Sequence, residues 1–176
     1  VVTDARIPRP TREELDDDVA GLLDLVTRPD GTQLETVAVL AHQPALMGPF
    51  LSWAAALALQ SALSKRDHEL LALRTAVNFD STFEWEEHAE YARQAGVTEA
   101  ELDAVRAGPG ARTWSEHERA LLRAADELHD LHRISEETWL VLATGYGVGQ
   151  LVEIPYVVGQ YAMLSMVANV IDPTDA

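Results

Sequence analysis

Apolar residues recur at helical spacing along almost the whole chain. In 65–79, Leu70, Leu73, Ala76 and Val77 fall at helical intervals, and in 116–131 Leu121, Leu122, Ala125, Leu128 and Leu131 do the same. That three-and-four spacing marks a helix with one face turned to a core. Between 149 and 170, Leu151, Ile154, Val157, Val158, Tyr161, Met163, Leu164 and Val167 wrap most of the circumference, as expected of a central element. No alternation of apolar and polar residues is long enough to require a strand. The pattern predicts an all-α chain with helices over 12–26, 33–41, 44–61, 65–79, 82–95, 99–106, 116–131, 136–146 and 149–170.

Start signals support these boundaries. Thr11/Glu14, Thr32/Glu35, Thr98/Glu101 and Ser115/Glu118 have the spacing of capping boxes, and Ser64/Asp67 is a shorter-armed relative. Ser135 precedes Glu136 and Glu137, which favour the positive end of a helix. Pro44 suits a first helical turn. Stops are equally plain: Gly96 follows Gln94 and Ala95, while 28–31 and 108–110 are turn sequences. Residues 64–76 and 115–125 echo one another, a cap followed by an apolar helix, which capped helices also share by chance. Gly145-Tyr-Gly-Val-Gly149 follows a helix and lacks the Lys and Ser/Thr of a phosphate loop, so it reads as a tight helix–helix connection.

Composition narrows the function classes. The 176 residues make one domain, 1–176, and 47% hydrophobic with 24% charged residues is an ordinary globular balance. There is no cysteine, which excludes thiol catalysis, disulfides and thiolate metal sites. A net charge of −16 repels phosphate backbones and anionic lipid, so neither a nucleic acid nor a membrane is expected as partner. The apolar stretch 152–171 carries Glu153, Pro155 and Asn169, which suits a buried helix better than a membrane span. The opening residues lack a cationic region followed by an apolar run, and a cytoplasmic location is expected.

The densest chemistry lies in Asp80-Ser-Thr-Phe-Glu-Trp-Glu-Glu-His88. Glu84 and His88 are four apart and share a helix face, with Ser81 at the helix start. An antiparallel pair of helices turning near 78–80 would bring Glu69 towards both. A carboxylate beside an imidazole sets its tautomer, and a second carboxylate can give or take the proton; together they form a general acid/base set. The plainer reading is a solvated helix face, which Glu86, Glu87 and Glu90 show this helix to have. Carboxylate and imidazole also bind zinc or iron, but no HExxH occurs, and His129 and His132 lack supporting spacing. No metal is expected.

Glu69-Leu-Leu-Ala-Leu-Arg-Thr-Ala, Phe83-Glu-Trp-Glu-Glu-His88 and Ala92-Arg-Gln-Ala-Gly96-Val-Thr-Glu-Ala-Glu-Leu together resemble the carboxymuconolactone decarboxylase family and its relative, the alkylhydroperoxidase AhpD. The likeness is close over about 60–108, and 115–171, with Tyr161 and Asn169, resembles the tail of longer members. It implies an all-α, AhpD-like helical bundle that assembles into homo-oligomers. In the peroxidase branch a helix carries Cys-x-x-Cys-x-x-x-His with a Glu upstream. Ser81 stands at the first Cys position, Glu84 at the second, His88 at the His and Glu69 at the upstream Glu. Without sulfur a disulfide cycle is impossible. The resemblance then implies the decarboxylase branch: a cofactor-independent lyase acting on small lactones or acids, with no cofactor expected.

His88, Glu84 and Glu69 are therefore the candidate catalytic residues, and Ser81, Tyr161 and Asn169 the candidates for substrate binding. An isomerase, hydratase or cyclase would use the same set. A non-catalytic oligomeric ligand-binding protein is the alternative from another class. His42 reads as structural near a loop, Trp53 and Trp139 as core or interface, and the apolar 44–61 helix as a contact surface for a second copy.

Overall fold

A computed structural model describes residues 5–28 and 30–171. Among them every regular element is helical: α1 (Asp17–Leu25), α2 (Glu35–Ala38), α3 (Pro44–Leu59), α4 (Lys65–Asn78), α5 (Thr82–Gln94), α6 (Glu99–Ala107), α7 (Glu116–Leu131), α8 (Glu136–Gly145) and α9 (Val148–Ile171), with short 3-10 turns at Arg12–Glu14 and Val39–His42. The chain divides into two compact units, residues 1–60 with 167–176, and residues 61–166.

The first unit buries Val19 and Leu23 of α1 with Val37, Ala38, Ala41 and Met47. Its start differs from the continuous helix expected over 12–26. Thr11 and Glu14 do form a reciprocal box, but it closes a single 3-10 turn, because Leu15 is extended. Asp16 then caps α1 through the Val19 amide. The helix expected over 33–41 is likewise α2 followed by a 3-10 turn. Thr32 does not cap it; its amide and hydroxyl both donate to Asp30. His42 Nε2 lies 2.8 Å from the carbonyl of Pro8, a structural tie. Pro29, the second residue of the expected 28–31 turn, lies outside the described residues.

The second unit is built on α4, whose His68, Glu69, Leu70, Leu71, Ala72, Leu73, Thr75 and Ala76 are all buried. Leu70, Leu73 and Ala76 pack with Trp85, Ala89 and Ala92 of α5, Leu102 and Val105 of α6, and Leu122 of α7. The caps at Ser64, Thr98, Ser115 and Ser135 form as the sequence expects. Gly96 takes φ 86° just past α5, and Gly108 takes φ 91° at the end of α6. At Gly108 a Cβ would also meet the Arg74 guanidinium at 3.2 Å. Arg74 itself is paired with Asp126 of α7, and Arg66 with Glu101 of α6 and Glu118 of α7, so α4 is bolted to both neighbours by charge as well as by packing.

Helix α9 is apolar all round, and among the described residues it is the one helix long and apolar enough to cross a membrane. Leu151, Ile154, Val157, Val158 and Tyr161, which belong to the second unit, are nevertheless buried. Its first turns are anchored by polar bonds: Gln150 donates to the Ala62 carbonyl, and the Ala62 amide donates to Glu153.

Candidate functional site

The turn between α4 and α5 sets the site. Asp80 adopts a left-handed conformation, φ 50°, and the Ser81 amide donates back to the Ala76 carbonyl. An Asp tolerates that region better than most residues. The chain reverses, α5 packs against α4, and the Glu69 side chain meets the face of α5 that carries Glu84 and His88. Ser81 is the cap of α5; its buried hydroxyl accepts from the Glu84 amide at 3.4 Å. The serine thus fixes the start of the helix and the position of Glu84.

His88 sits between two carboxylates. Its Nδ1–H donates to Glu69 Oε2 at 2.6 Å, and its Nε2 lies 3.7 Å from Glu84 Oε2. The first is a short charge-assisted hydrogen bond; the second is beyond hydrogen-bond range, and the imidazole acts on that carboxyl only through space. Exposure of Glu69, Glu84 and His88 is 7%, 3% and 8%. The solvated-face reading of these residues is therefore set aside. Burial pushes the Glu84 carboxyl up to about 7, against the opposing pull of His88. That carboxyl changes protonation near neutrality, as a general acid or base must.

Tyr161 of α9 completes the cluster. Its ring meets the His88 ring edge-on with centroids 4.3 Å apart. Burial, reinforced by Glu69 and Glu84, holds its phenol protonated far above neutral pH. The hydroxyl lies 2.8 Å from Nε2 of His68. His68 is the member that sequence reasoning missed. It adjoins Glu69, and its only signal was a polar ring at the head of an apolar run. Its partner is 93 residues away, which no local pattern reveals.

Glu69, Ser81, Glu84, His88 and Tyr161 thus come together within the second unit. Asn169 is exposed and belongs to the other unit. Arg74 is held by Asp126 rather than offered to the cluster. Trp53 and Trp139 are 42% and 40% exposed, which removes the core reading of each and leaves the interface reading. Among the described residues no group of three or more His, Asp or Glu is arranged to hold a metal ion.

Residues 44–127 match the profile of the carboxymuconolactone decarboxylase family. No curated protein matches the chain significantly. Solved structures share the fold. An uncharacterized peroxidase-related protein from Ralstonia eutropha with an alkylhydroperoxidase AhpD core is 21% identical, covers 97% of this chain and 92% of its own, and has a TM-score of 0.82. A peroxidase-related protein from Silicibacter is 18% identical over 96% of this chain and 90% of its own, with a TM-score of 0.81. The debrominase Bmp8, in complex with 2,3,4-tribromopyrrole, is 13% identical over 97% of this chain and 91% of its own, with a TM-score of 0.78. Residues 44–127 are thus similar to the carboxymuconolactone decarboxylase family, and the chain, which has no cysteine, shares the all-helical AhpD-like fold.

Proposed function

We propose that the Glu69–His88–Glu84 cluster is a cofactor-independent proton-transfer site for a small carboxylated or carbonyl-bearing substrate, with decarboxylation followed by protonation as its specific reaction. One observation carries this reading: His88 is locked by Glu69 at one ring nitrogen, while a carboxyl that titrates near 7 faces the other. Loss of carbon dioxide leaves an electron pair on the substrate carbon, delocalised as an enolate. Glu84 in its neutral form, or His88 recharged through it, delivers the proton to that carbon. Tyr161, a neutral phenol, donates a hydrogen bond to the enolate oxygen. Donors placed where charge develops commonly supply the largest share of a rate enhancement.

The raised Glu84 carboxyl also eases an electrostatic conflict. Two ionised glutamates would repel an anionic substrate, whereas a neutral Glu84 leaves only Glu69, whose charge is directed to His88. The family includes enzymes, and a debrominase with a small brominated ring shares the fold; both support a small-molecule substrate. A homo-oligomer in the cytoplasm belongs to the same reading.

The test is a screen of small lactones, enol acids and β-keto acids, followed by carbon dioxide release and proton incorporation. Turnover with carbon dioxide release supports the decarboxylase form. Turnover without it assigns the same residues to isomerisation, hydration or cyclisation.

A further inference from the structure

The proton-transfer reading leaves one buried group unused. His68 is 3% exposed, its Nε2 faces the Tyr161 hydroxyl at 2.8 Å, and its Nδ1 is sealed from solvent with no hydrogen-bond partner. Burial lowers its affinity for a proton, so the imidazole is neutral at pH 7 and carries a single N–H. Two arrangements are possible. Either Tyr161 donates to Nε2 and the ring proton sits on Nδ1, or Nε2–H donates to the Tyr161 oxygen and Nδ1 keeps a bare lone pair.

Each arrangement leaves one donor unmet, and they differ in where it is placed. In the first it is the N–H at Nδ1, fixed by the ring and facing no acceptor. Buried N–H groups of that kind are rare. In the second it is the Tyr161 O–H, a rotor that can turn to suit its surroundings. The rotor lies beside the acid cluster: the Tyr161 ring abuts His88.

We infer that His68 is a positioning residue: its Nε2–H donates to Tyr161, which fixes the phenol oxygen as acceptor and turns the phenol proton towards the oxygen of a bound substrate beside His88. The inference rests on the proton-transfer reading and adds to it. It gives the site a directed neutral donor, so the substrate group that takes it is an oxygen acquiring negative charge, a carbonyl becoming an enolate. The T-shaped contact of the His68 and Tyr161 rings, 87° apart, holds the phenol in place.

The experiment begins on the free protein and needs no substrate. Nitrogen-15 labelled protein at pH 7, read by long-range proton–nitrogen correlation of the histidine rings, should show His68 protonated at Nε2, assigned by loss of its signals in His68→Gln. A proton on Nδ1 overturns the inference, whatever the enzyme does. The second arm uses the substrate from the screen. His68→Gln retains a side-chain N–H donor that can reach Tyr161, and should keep kcat within a few-fold of the parent. His68→Leu should lose about 10- to 100-fold in kcat, with KM changed far less. Tyr161→Phe should lose the same, and the double variant no more than either. Equal losses in His68→Gln and His68→Leu would mark His68 as packing only and overturn the inference. Failure of the proton-transfer reading itself looks different: a folded His88→Gln that keeps its activity, with the His68 tautomer unaffected.

Discussion

Glu69 and His88 are separated by nineteen residues, and their side chains meet at 2.6 Å across the packed face of α4 and α5. The bond sets the proton of His88 on Nδ1 and leaves Nε2 free to act. Glu69→Gln still accepts that N–H, so the fold should survive. It removes the charge that favours a protonated imidazole, and turnover should fall by roughly 100-fold or more. Combined with His88→Gln, it should add little, because groups in one relay are not additive. Steady-state rates of the two single variants and the double check this; independent, multiplying losses would separate the residues.

Glu84 makes stability depend on pH in an unusual direction. Burial raises its carboxyl from the ordinary 4.5 to about 7 in the folded chain. The native state therefore holds the proton over a range where the unfolded state has lost it. The contribution is fully present below pH 4.5 and is lost as pH rises through 7, by roughly 3 kcal/mol. Glu84→Gln is neutral at every pH. Denaturant midpoints should show it gaining on the parent between pH 5 and pH 8. A constant difference across that range would contradict the burial argument.

Arg66 gives the opposite sign. It ties α4 to Glu101 and Glu118, and holds the Glu101 carboxyl down at about 2. That contribution is present above pH 4.5 and is lost as pH falls towards 2. Arg66→Met should cost about 2–3 kcal/mol at pH 7, the scale of hydrogen bonds to charged groups. The gap from the parent should close as the solution is acidified. Thermal melts at pH 7 and pH 3 measure both.

Local signals made much of this legible. Ser64, Thr98, Ser115 and Ser135 cap helices because a side-chain oxygen three residues before an amide is a complete local device. Thr11 shows the limit of that device: its box forms, but nothing in it says whether the helix continues, and Leu15 ends it after one turn. Thr32 satisfies Asp30 instead, a competition any Thr after an Asp can enter. Glu69, Glu84 and His88 were readable because one short turn relates their helices. His68 was not, because its meaning comes from Tyr161 in a helix far along the chain. The sequence marks Ser81 as a candidate substrate contact, and its second task, accepting from the Glu84 amide as helix cap, is what the structure adds.

The proposed homo-oligomer would use what the second unit leaves uncovered. Val152, Tyr156 and Met166 of α9 are more than half exposed, and Trp139 and Leu140 of α8 are exposed as well. These side chains are the proposed contact surface, since a large exposed apolar patch is a common interaction site. Light scattering at micromolar concentration should give a mass at least twice 19.3 kDa. Val152→Glu should lower it without unfolding the chain. A clean 19.3 kDa particle for the parent would contradict the assignment.

In the proposed function His88 moves a proton. His88→Gln keeps much of the side-chain volume and can still donate to Glu69, but it cannot titrate. With the substrate from the screen and circular dichroism showing a native helical signal, turnover should fall by ~100- to 10,000-fold, the usual cost of losing a general acid or base. A folded His88→Gln protein with turnover within a few-fold of the parent would contradict it.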